Sequence, residues 1–364
     1  MCTAPLRAKR KDERIDSVDS QMLADRESHA ERMLDAWPDP AVEQKIKKLK
    51  LGRAKRWHNQ QSAEARRRSL GAKMRGHAHL MGRTGVGMHA DWERFNRESL
   101  SEVALLGHSN CGKSALLNAL TGSSVKRGPA GVHARAGWTA ELSFFRVFPA
   151  ESQMPSQRSA SHLFGPEGPP ARAADEAAIA ANPASGHGAK MAVVLVDTPG
   201  YGFTVGNSKQ LTQWGELISD YLDHSPRLKL VVLLIDSTRG VCDADKRVIR
   251  RVRQSGIPIL PLLTKTDLLT PGELAQSHAV VAQDLDEITV HHRMERSKQG
   301  PDDCPRIITS HTPLMVSSHF YLGVPDLWKT LRRELKHIAL REERAKEQAE
   351  ISRDEVLLED GVTH

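Results

Sequence analysis

The sequence predicts a doubly wound α/β domain, in which helices cover both faces of a mostly parallel sheet. Short, continuous apolar runs are typical of strands buried on both faces, and four of them occur, at residues 102–107, 191–197, 228–236 and 257–265. Amphipathic stretches at 113–122 and 243–256 lie between these runs and predict helices. Strands that alternate with helices in this order build a parallel sheet.

Composition and charge indicate one such domain with appendages. Only 39% of the 364 residues are apolar and 4% are aromatic, which is little for a core that runs the full length. Residues 41–83 contain thirteen lysines and arginines against two glutamates. This concentration of positive charge suits a polyanion such as nucleic acid, and the alternative is a solvated charged helix or a disordered arm.

We predict three regions along the chain. Residues 1–98 are expected to be a basic, helical or disordered extension that binds RNA, residues 99–340 the α/β domain, and residues 341–364 a charged tail. Residues 150–190, rich in Pro, Gly, Ala and Ser, predict a flexible insertion, and 291–305 a smaller polar one. No apolar run approaches the ~20 residues that span a bilayer, so no membrane insertion is expected.

The stretch GHSNCGKS, residues 107–114, has the spacing of a phosphate-binding loop. In G-x-x-x-x-G-K-S the backbone N–H groups surround a phosphate chain, the lysine reaches the terminal phosphates and the serine hydroxyl meets Mg²⁺. The stretch lies between a predicted strand and a predicted helix, as this loop requires. The nucleotide-binding residues predicted here are Ser109, Asn110, Cys111, Gly112, Lys113, Ser114 and Ala115.

A second motif, VVLVDTPG, ends another predicted strand. A phosphate loop needs a carboxylate at the end of a neighbouring strand to hold the water shell of Mg²⁺, and Asp197 supplies it. Gly200 follows, and its N–H can point at a γ-phosphate.

The base is predicted to be guanine rather than adenine. Guanine presents N1–H and an exocyclic amine side by side, and one carboxylate can accept both. The stretch LLTKTD places Asp267 for this role and the stem of Lys265 along the base plane. The predicted base site consists of Thr264, Lys265, Asp267, Ser317 and Ser318, and backbone N–H groups at Ser317 and Ser318 are expected to recognise the base oxygen.

Taken together, these motifs resemble the EngB (YihA/YsxC) family of ribosome-assembly GTPases. The resemblance covers roughly residues 99–337 apart from the insertions, and it is carried by GHSNCGKSALLNAL, GWTAELSFF, LVDTPGYGF, LTKTDLL and VSSHFYLGVPDL. It implies a Ras-like P-loop GTPase fold with a six-stranded, mostly parallel sheet. It also implies GTP and GDP as ligands and Mg²⁺ as cofactor.

The resemblance assigns further roles. Lys113, Thr139 and Gly200 would act on the γ-phosphate, and Ser114, Thr139 and Asp197 would hold Mg²⁺. Asn110 matches an asparagine that helps to hold potassium in cation-dependent relatives, and the alternative is that it braces the loop. Ras-like proteins carry a water-orienting glutamine where this chain has Tyr201, so slow intrinsic hydrolysis is expected.

The chain also departs from the family pattern. Ala136 and Trp138 replace the proline and arginine of the first switch segment, and Cys111 stands where valine is usual. The long extensions are typical of organellar members, which leads us to expect a mitochondrial protein, with plastid or cytoplasm as alternatives.

The function expected from the resemblance is GTP-dependent assembly of the large ribosomal subunit. The partners would be large-subunit rRNA and ribosomal or assembly proteins, with the factor a monomer on the pre-ribosomal particle. The alternative is a GTP-binding structural or regulatory protein that docks on a protein partner and hydrolyses little. A third interpretation, an RNA-independent signalling GTPase, conflicts with the basic segment.

Overall fold

The computed structural model describes most of the α/β domain and part of the residues before it. The described residues are 21–52, 78–84, 100–121, 141–147, 192–201, 208–297 and 312–360, together with 65, 128 and 130. Within them, no helix is both long enough and apolar enough to cross a membrane. The insertion predicted at 150–190 and most of the one at 291–305 lie outside the described residues.

A seven-stranded sheet forms the centre of the fold, in the order β1-β3-β4-β2-β5-β6-β7. The strands are β1 (Ala78–Thr84), β2 (Glu102–Gly107), β3 (Leu142–Val147), β4 (Val193–Asp197), β5 (Leu228–Asp236), β6 (Ile259–Thr264) and β7 (Leu314–Met315). Strands β4, β2, β5, β6 and β7 run parallel to their neighbours in this group. Strands β3 and β1 are added antiparallel at the β4 edge.

Helices cover both faces of the sheet, as predicted. They are α1 (residues 21–34), α2 (Pro40–Leu49), α3 (Lys113–Leu120), α4 (Ser208–His224), α5 (Asp243–Gln254), α6 (Pro271–Ser297) and α7 (Val324–Asp360). Side chains of β5 alternate between two cores because successive strand residues point to opposite faces. Val231, Leu233 and Ile235 pack with α2, α4, α5 and α6, whereas Leu230, Val232 and Leu234 pack with α3 and α7.

The α/β class is confirmed, and the sheet has one strand more than the six expected. The additional strand is β1, which pairs with β3 from Ala78↔Val147 to Thr84↔Leu142 and has a register shift between Leu80 and Gly82. It comes from residues before position 99, where the domain was expected to begin. A single edge strand buries few side chains, so its sequence lacks the continuous apolar run of a central strand.

Helix α2 also packs on the domain. The helix begins at Pro40, and Asp39 is its N-cap. The Asp39 side chain accepts a hydrogen bond from the Ala41 N–H (2.8 Å). Val42 and Ile46 are buried in the core on the α4–α6 side of the sheet. Among the described residues before position 99, α1 and α2 are thus helical and residues 78–84 form strand β1, and α2 contributes to the same hydrophobic core.

Helix α1 is attached to α6 by polar contacts. The Arg32 guanidinium donates two hydrogen bonds, of 2.7 and 3.1 Å, to the carboxylate of Asp284. His29 lies within 3.0 Å of the Ser277 hydroxyl, measured from Nε2 to Oγ. At the other end of the domain, α7 continues unbroken across residue 340 to Asp360, as the charged C-terminal sequence predicts.

Candidate nucleotide-binding site

The phosphate loop, residues 107–114, connects β2 to α3. Its backbone has left-handed conformations and close contacts that favour glycine. Asn110 and Gly112 have positive φ values of 63° and 103°. A Cβ on Gly107 would lie 2.5 Å from Cys111 Sγ and 2.8 Å from the Leu234 carbonyl oxygen. Gly107 is therefore required by close packing, and Gly112 by its left-handed conformation at the N-terminus of α3.

Lys113 holds a positive charge inside this loop. Its Nζ donates hydrogen bonds to the carbonyl oxygens of Gly107 (2.9 Å) and His108 (3.1 Å), and the residue is 7% exposed. The ammonium group and the N-terminus of α3 both favour an anion at the loop. The arrangement suits a phosphate chain, as the sequence motif predicts.

Asp197 and Ser114 meet where a metal ion is expected. The Ser114 hydroxyl donates to Asp197 Oδ2 at 2.9 Å. Asp197 is buried, and its Oδ1 has no hydrogen-bond partner among the residues that the structure describes. Burial raises the pKa of this carboxyl, and the nearby Lys113 ammonium and the Ser114 hydrogen bond act in the opposite direction.

These oxygen donors fit Mg²⁺. An unpaired buried carboxylate oxygen next to a hydroxyl is the donor set that Mg²⁺ uses together with water and substrate phosphates. When bound, Mg²⁺ would neutralise charge on the β- and γ-phosphates. Ser114 and Asp197 are the described residues that would hold it, and Thr139, the third predicted ligand, lies outside the described residues together with Ala136 and Trp138.

The segment after Asp197 lies directly against the phosphate loop. The Ser109 N–H donates to the Tyr201 carbonyl (2.8 Å), and the Ser109 hydroxyl donates to the Gly200 carbonyl (3.1 Å). A Cβ on Gly200 would lie 2.6 Å from Ser109 Cα and 2.8 Å from Lys113 Nζ. Gly200 thus contacts the loop at the place where a γ-phosphate sensor is needed.

On the base side, Thr264 connects the end of β6 to the phosphate loop, and Lys265 connects it to the end of β5. The Thr264 hydroxyl donates to the Cys111 carbonyl at 2.7 Å. Lys265 has a left-handed backbone (φ 54°), and its Nζ forms an ion pair with Asp236 Oδ2 at 2.8 Å. Cys111 itself is buried, and this burial raises the pKa of its thiol, which disfavours the reactive thiolate.

Asp267 is oriented by Ser317. The Ser317 hydroxyl donates to Asp267 Oδ1 at 2.6 Å and accepts a hydrogen bond from the Phe320 N–H. The Ser317 N–H donates to the Leu322 carbonyl, so this N–H is not directed at a base oxygen as the sequence suggested. Ser317 contributes through its hydroxyl, which fixes the carboxylate that would read guanine. Ser318 follows Ser317 in the turn after β7.

The sequence interpretation assigned no role to Asp236. This carboxylate is 5% exposed, and its Oδ1 accepts hydrogen bonds from the Thr238 N–H and hydroxyl. Burial alone would raise the pKa of Asp236, but Lys265 and Thr238 hold it below its ordinary value. Asp236 thereby fixes Lys265 beside the base site. The signal available in the sequence was an apolar strand, LKLVVLLID, that ends in an acid.

The Tyr201 side chain also takes part in a buried network that sequence reasoning missed. Its hydroxyl donates to Asp245 Oδ1 at 2.6 Å, and Asp245 Oδ2 accepts from the Cys242 N–H and lies 3.6 Å from Arg239 Nη2. Burial and the Asp245 carboxylate raise the pKa of the Tyr201 hydroxyl well above its ordinary value. The Tyr201 side chain therefore anchors the DTPG segment to α5 through this hydrogen bond.

His108, a residue of the phosphate loop, packs against this network. Its ring meets the Tyr201 ring edge-on at a centroid distance of 6.0 Å. Burial, with a contribution from Arg239, lowers the pKa of His108 to about 4. The imidazole is neutral at physiological pH, so Lys113 remains the principal positive charge in the loop.

This combination defines a P-loop GTP-binding protein. A strand–loop–helix phosphate site, a metal-binding carboxylate at the end of a neighbouring strand and a base site with a T-K-x-D sequence all lie at the carboxyl ends of the parallel strands. The structure brings together, at this one edge of the sheet, those residues predicted for the phosphate, metal and base sites that lie within the described part of the chain.

Comparisons with known proteins identify the family. Residues 102–265 match the family model described as 50S ribosome-binding GTPase. A probable GTP-binding protein EngB of Rhodospirillum rubrum is 33% identical over 193 residues, which cover 53% of this chain and 66% of that protein. Its counterpart in Rhodopseudomonas palustris is 32% identical over 226 residues, which cover 62% of this chain and 76% of that protein. The chain therefore belongs to the EngB family, and it is a GTPase.

Solved structures are similar over about two thirds of the chain. The crystal structure of a probable GTP-binding protein EngB has a TM-score of 0.35 and 15% identity, and covers 65% of this chain and 99% of that chain. Aquifex aeolicus Era bound to GDP and AlF4⁻ has a TM-score of 0.39 and 16% identity, with 65% of this chain and 56% of that chain covered. The family assignment rests on the sequence matches.

Proposed function

We propose that this GTPase is an assembly factor for the large ribosomal subunit. In its GTP-bound state it docks on immature rRNA as a monomer, together with ribosomal or assembly proteins, and hydrolysis releases it. The observation that carries the proposal is the hydrogen bond from the Ser109 hydroxyl to the Gly200 carbonyl, because it joins the DTPG segment to the phosphate loop, where a γ-phosphate must move or fix that segment. The family description and the basic residues 41–83 support an RNA partner.

The test is recovery of RNA with the tagged protein. Cells expressing it are lysed with a non-hydrolysable GTP analogue or with GDP, and the bound RNA is sequenced. Enrichment of large-subunit rRNA precursors with the analogue alone is the expected result. Absence of rRNA in both states, with GTP binding intact in vitro, would refute the assembly role. Lys113→Ala, which removes the phosphate-binding ammonium, is the matched control for nucleotide dependence.

We also propose a mitochondrial location, because long charged segments at residues 1–98 and 341–364 flank the GTPase domain. The source of the recovered rRNA tests this directly, since mitochondrial, plastid and cytoplasmic rRNA differ in sequence.

Potassium, held with the help of Asn110, is proposed as an additional cofactor. Hydrolysis rates in potassium and in sodium chloride at equal ionic strength test it, and equal rates would contradict it.

A second candidate function is a GTP-binding regulatory protein with little hydrolysis. The observation that favours it is the engagement of the Tyr201 side chain with Asp245, because a hydroxyl held in this way does not orient an attacking water. Single-turnover hydrolysis with and without purified large-subunit particles separates the two functions. Stimulation by the particles supports the assembly factor, and a very slow rate in both conditions supports the regulator.

A further inference from the structure

Helix α1 packs on the domain through a buried histidine. His29 is 3% exposed and Met33, one turn further on, is also buried, whereas Leu34 is exposed. Residues four positions apart lie on the same side of a helix, so this side of α1 faces the domain. His29 meets the loop that follows β5, residues 237–240, which is called the β5 loop below.

The imidazole of His29 fits closely against the β5 loop. Gly240 has a left-handed backbone (φ 69°), and a Cβ there would lie 2.2 Å from His29 Nδ1 and 2.5 Å from His29 Cε1. Glycine therefore leaves the space that the ring occupies. Burial, with a contribution from Arg32, lowers the pKa of His29 to about 4, so the ring is neutral at physiological pH.

Two successive hydrogen bonds lead from His29 to the β5 loop. The Ser277 hydroxyl of α6 lies 3.0 Å from His29 Nε2 and 2.7 Å from the Ser237 carbonyl oxygen. A carbonyl oxygen only accepts, so the hydroxyl donates its one proton to Ser237, and the Nε2–H of the neutral imidazole donates to the hydroxyl. All three residues are buried, and the position of α1 is thereby coupled to that of the β5 loop.

The β5 loop is bonded to the residues that position Lys265. The Asp236 carboxylate, at the start of the loop, forms the ion pair with Lys265 Nζ. The Asp236 carbonyl accepts a hydrogen bond from the Gly240 N–H (3.0 Å), and the Ser237 N–H donates to the Thr264 carbonyl (3.1 Å). A displacement of the β5 loop therefore displaces the carboxylate that orients Lys265 beside the base site.

Helix α1 is attached to the domain at a second point. The Arg32 guanidinium donates two hydrogen bonds to the carboxylate of Asp284, whose side chain is 5% exposed. A bidentate arginine–carboxylate pair fixes orientation as well as distance. Asp284 and Ser277 both belong to α6 and lie two turns apart, so α1 is held along the length of one helix of the domain.

We propose that His29 is a positioning residue of the guanine site. It acts through Ser277 and the β5 loop, which it holds in the conformation that lets Asp236 orient Lys265. His29 lies outside every nucleotide-binding motif of the sequence, so the motifs assign it no such role. The proposal concerns the affinity of the chain for guanine nucleotide and does not depend on the assembly role.

The test measures dissociation constants and release rates of fluorescent GDP with the full chain. His29→Ala should weaken GDP binding about three- to fivefold, with faster release, because one hydrogen bond in the support of Asp236 is lost. His29→Gln should bind GDP within about twofold of wild type, because its amide N–H can replace Nε2–H as the donor to Ser277. In an Asp236→Asn background, His29→Ala should cause no further loss, because both substitutions act on Lys265 by one route.

Val42→Ala is the matched control for stability. It truncates a buried core residue of α2, so it should lower the melting temperature and leave GDP affinity unchanged. Thermal melting establishes that each variant is folded at the temperature of the binding assay. If His29→Ala does not fold, Ser277→Ala replaces it, because it removes the middle of the same hydrogen-bonded connection and should cause the same loss of affinity.

Three results would overturn the proposal. They are wild-type GDP affinity in a folded His29→Ala or Ser277→Ala variant, an equal loss of affinity in Val42→Ala, and additive losses when His29→Ala is combined with Asp236→Asn. Failure of the assembly role is separate. Weaker GDP binding in His29→Ala, without recovery of rRNA from cells by wild type, refutes the ribosomal partner and leaves the positioning role of His29 in place.

Discussion

Replacing Gly200 with alanine should separate GTP binding from GDP binding. The added Cβ would lie 2.6 Å from Ser109 Cα, 2.7 Å from Ser109 Oγ and 2.8 Å from Lys113 Nζ. Ordinary carbon–carbon contacts are about 3.5 Å or more, so the DTPG segment must withdraw from the phosphate loop by about 1 Å. A hydrogen bond from the residue 200 N–H to a γ-phosphate does not survive such a displacement.

The expected loss can be estimated from that bond. A hydrogen bond to a charged group contributes about 1.5 to 3 kcal/mol, which corresponds to a roughly 10- to 150-fold loss of affinity. GDP lacks the γ-phosphate, so its affinity should change much less. The assay is stopped-flow binding of fluorescent GDP and of a fluorescent non-hydrolysable GTP analogue. The ratio of the two affinities is the quantity to compare.

Gly215→Ala is the matched control. Gly215 lies within α4, and a Cβ there would meet nothing within 4 Å. This variant should bind both nucleotides as wild type does and be more stable by about 0.5 to 1 kcal/mol, because alanine favours a helix. If Gly200→Ala binds the GTP analogue as tightly as wild type, the contact between residue 200 and the phosphate loop is not the γ-phosphate sensor, and the reasoning fails.

Three further predictions concern buried polar groups. Asp236→Asn should weaken GDP binding by about five- to tenfold, because Lys265 loses the carboxylate that positions it; the GDP dissociation constant measures this. Tyr201→Phe should lower the free energy of unfolding by about 1 to 3 kcal/mol, because Asp245 Oδ1 is left without the hydroxyl; chemical denaturation measures this. Two buried histidines, His29 and His278, have pKa values lowered to about 4, mainly by burial. In the unfolded chain they bind protons near pH 6.5, so stability should fall as the pH drops from there toward 4, by up to about 3 kcal/mol for each histidine.

Each of these has a result that would contradict it. An unchanged GDP affinity in Asp236→Asn would show that the ion pair with Lys265 does not position the base site. If Tyr201→Phe is as stable as wild type, water replaces the hydroxyl as the hydrogen-bond donor to Asp245 Oδ1. For the histidines, denaturation of a His29→Gln, His278→Gln variant should depend less on pH than that of wild type, and an equal dependence would assign the effect to other groups.

The nucleotide-binding motifs could be predicted because each is local in the chain. In the phosphate loop, the distance from Gly107 to Lys113 is set by six successive peptide units, so the spacing of residues nearly fixes the geometry. The same holds for Asp197 and Gly200. The strands β2, β4, β5 and β6 were predictable because burial on both faces selects continuous apolar residues.

The tertiary structure decided the contacts between residues that are distant in sequence. Edge strand β1 is stabilised by pairing with β3, and α2 by the core that its Val42 and Ile46 enter. Ser317 reaches Asp267 across fifty positions. Nothing in either local sequence specifies these neighbours, because the folding of the whole sheet brings them together.

The sequence by itself therefore determined the family of this GTPase, because the phosphate loop, the carboxylate predicted to hold Mg²⁺ and the aspartate predicted to read guanine each lie in a short local motif. Only the tertiary structure decided how these residues are supported. Asp236 fixes Lys265, and Asp245 fixes Tyr201, through bonds that close loops of 29 and 44 residues. Such bonds exist only once the chain has folded, because the packing of β5, α5 and β6 is what gives the partners one position in space.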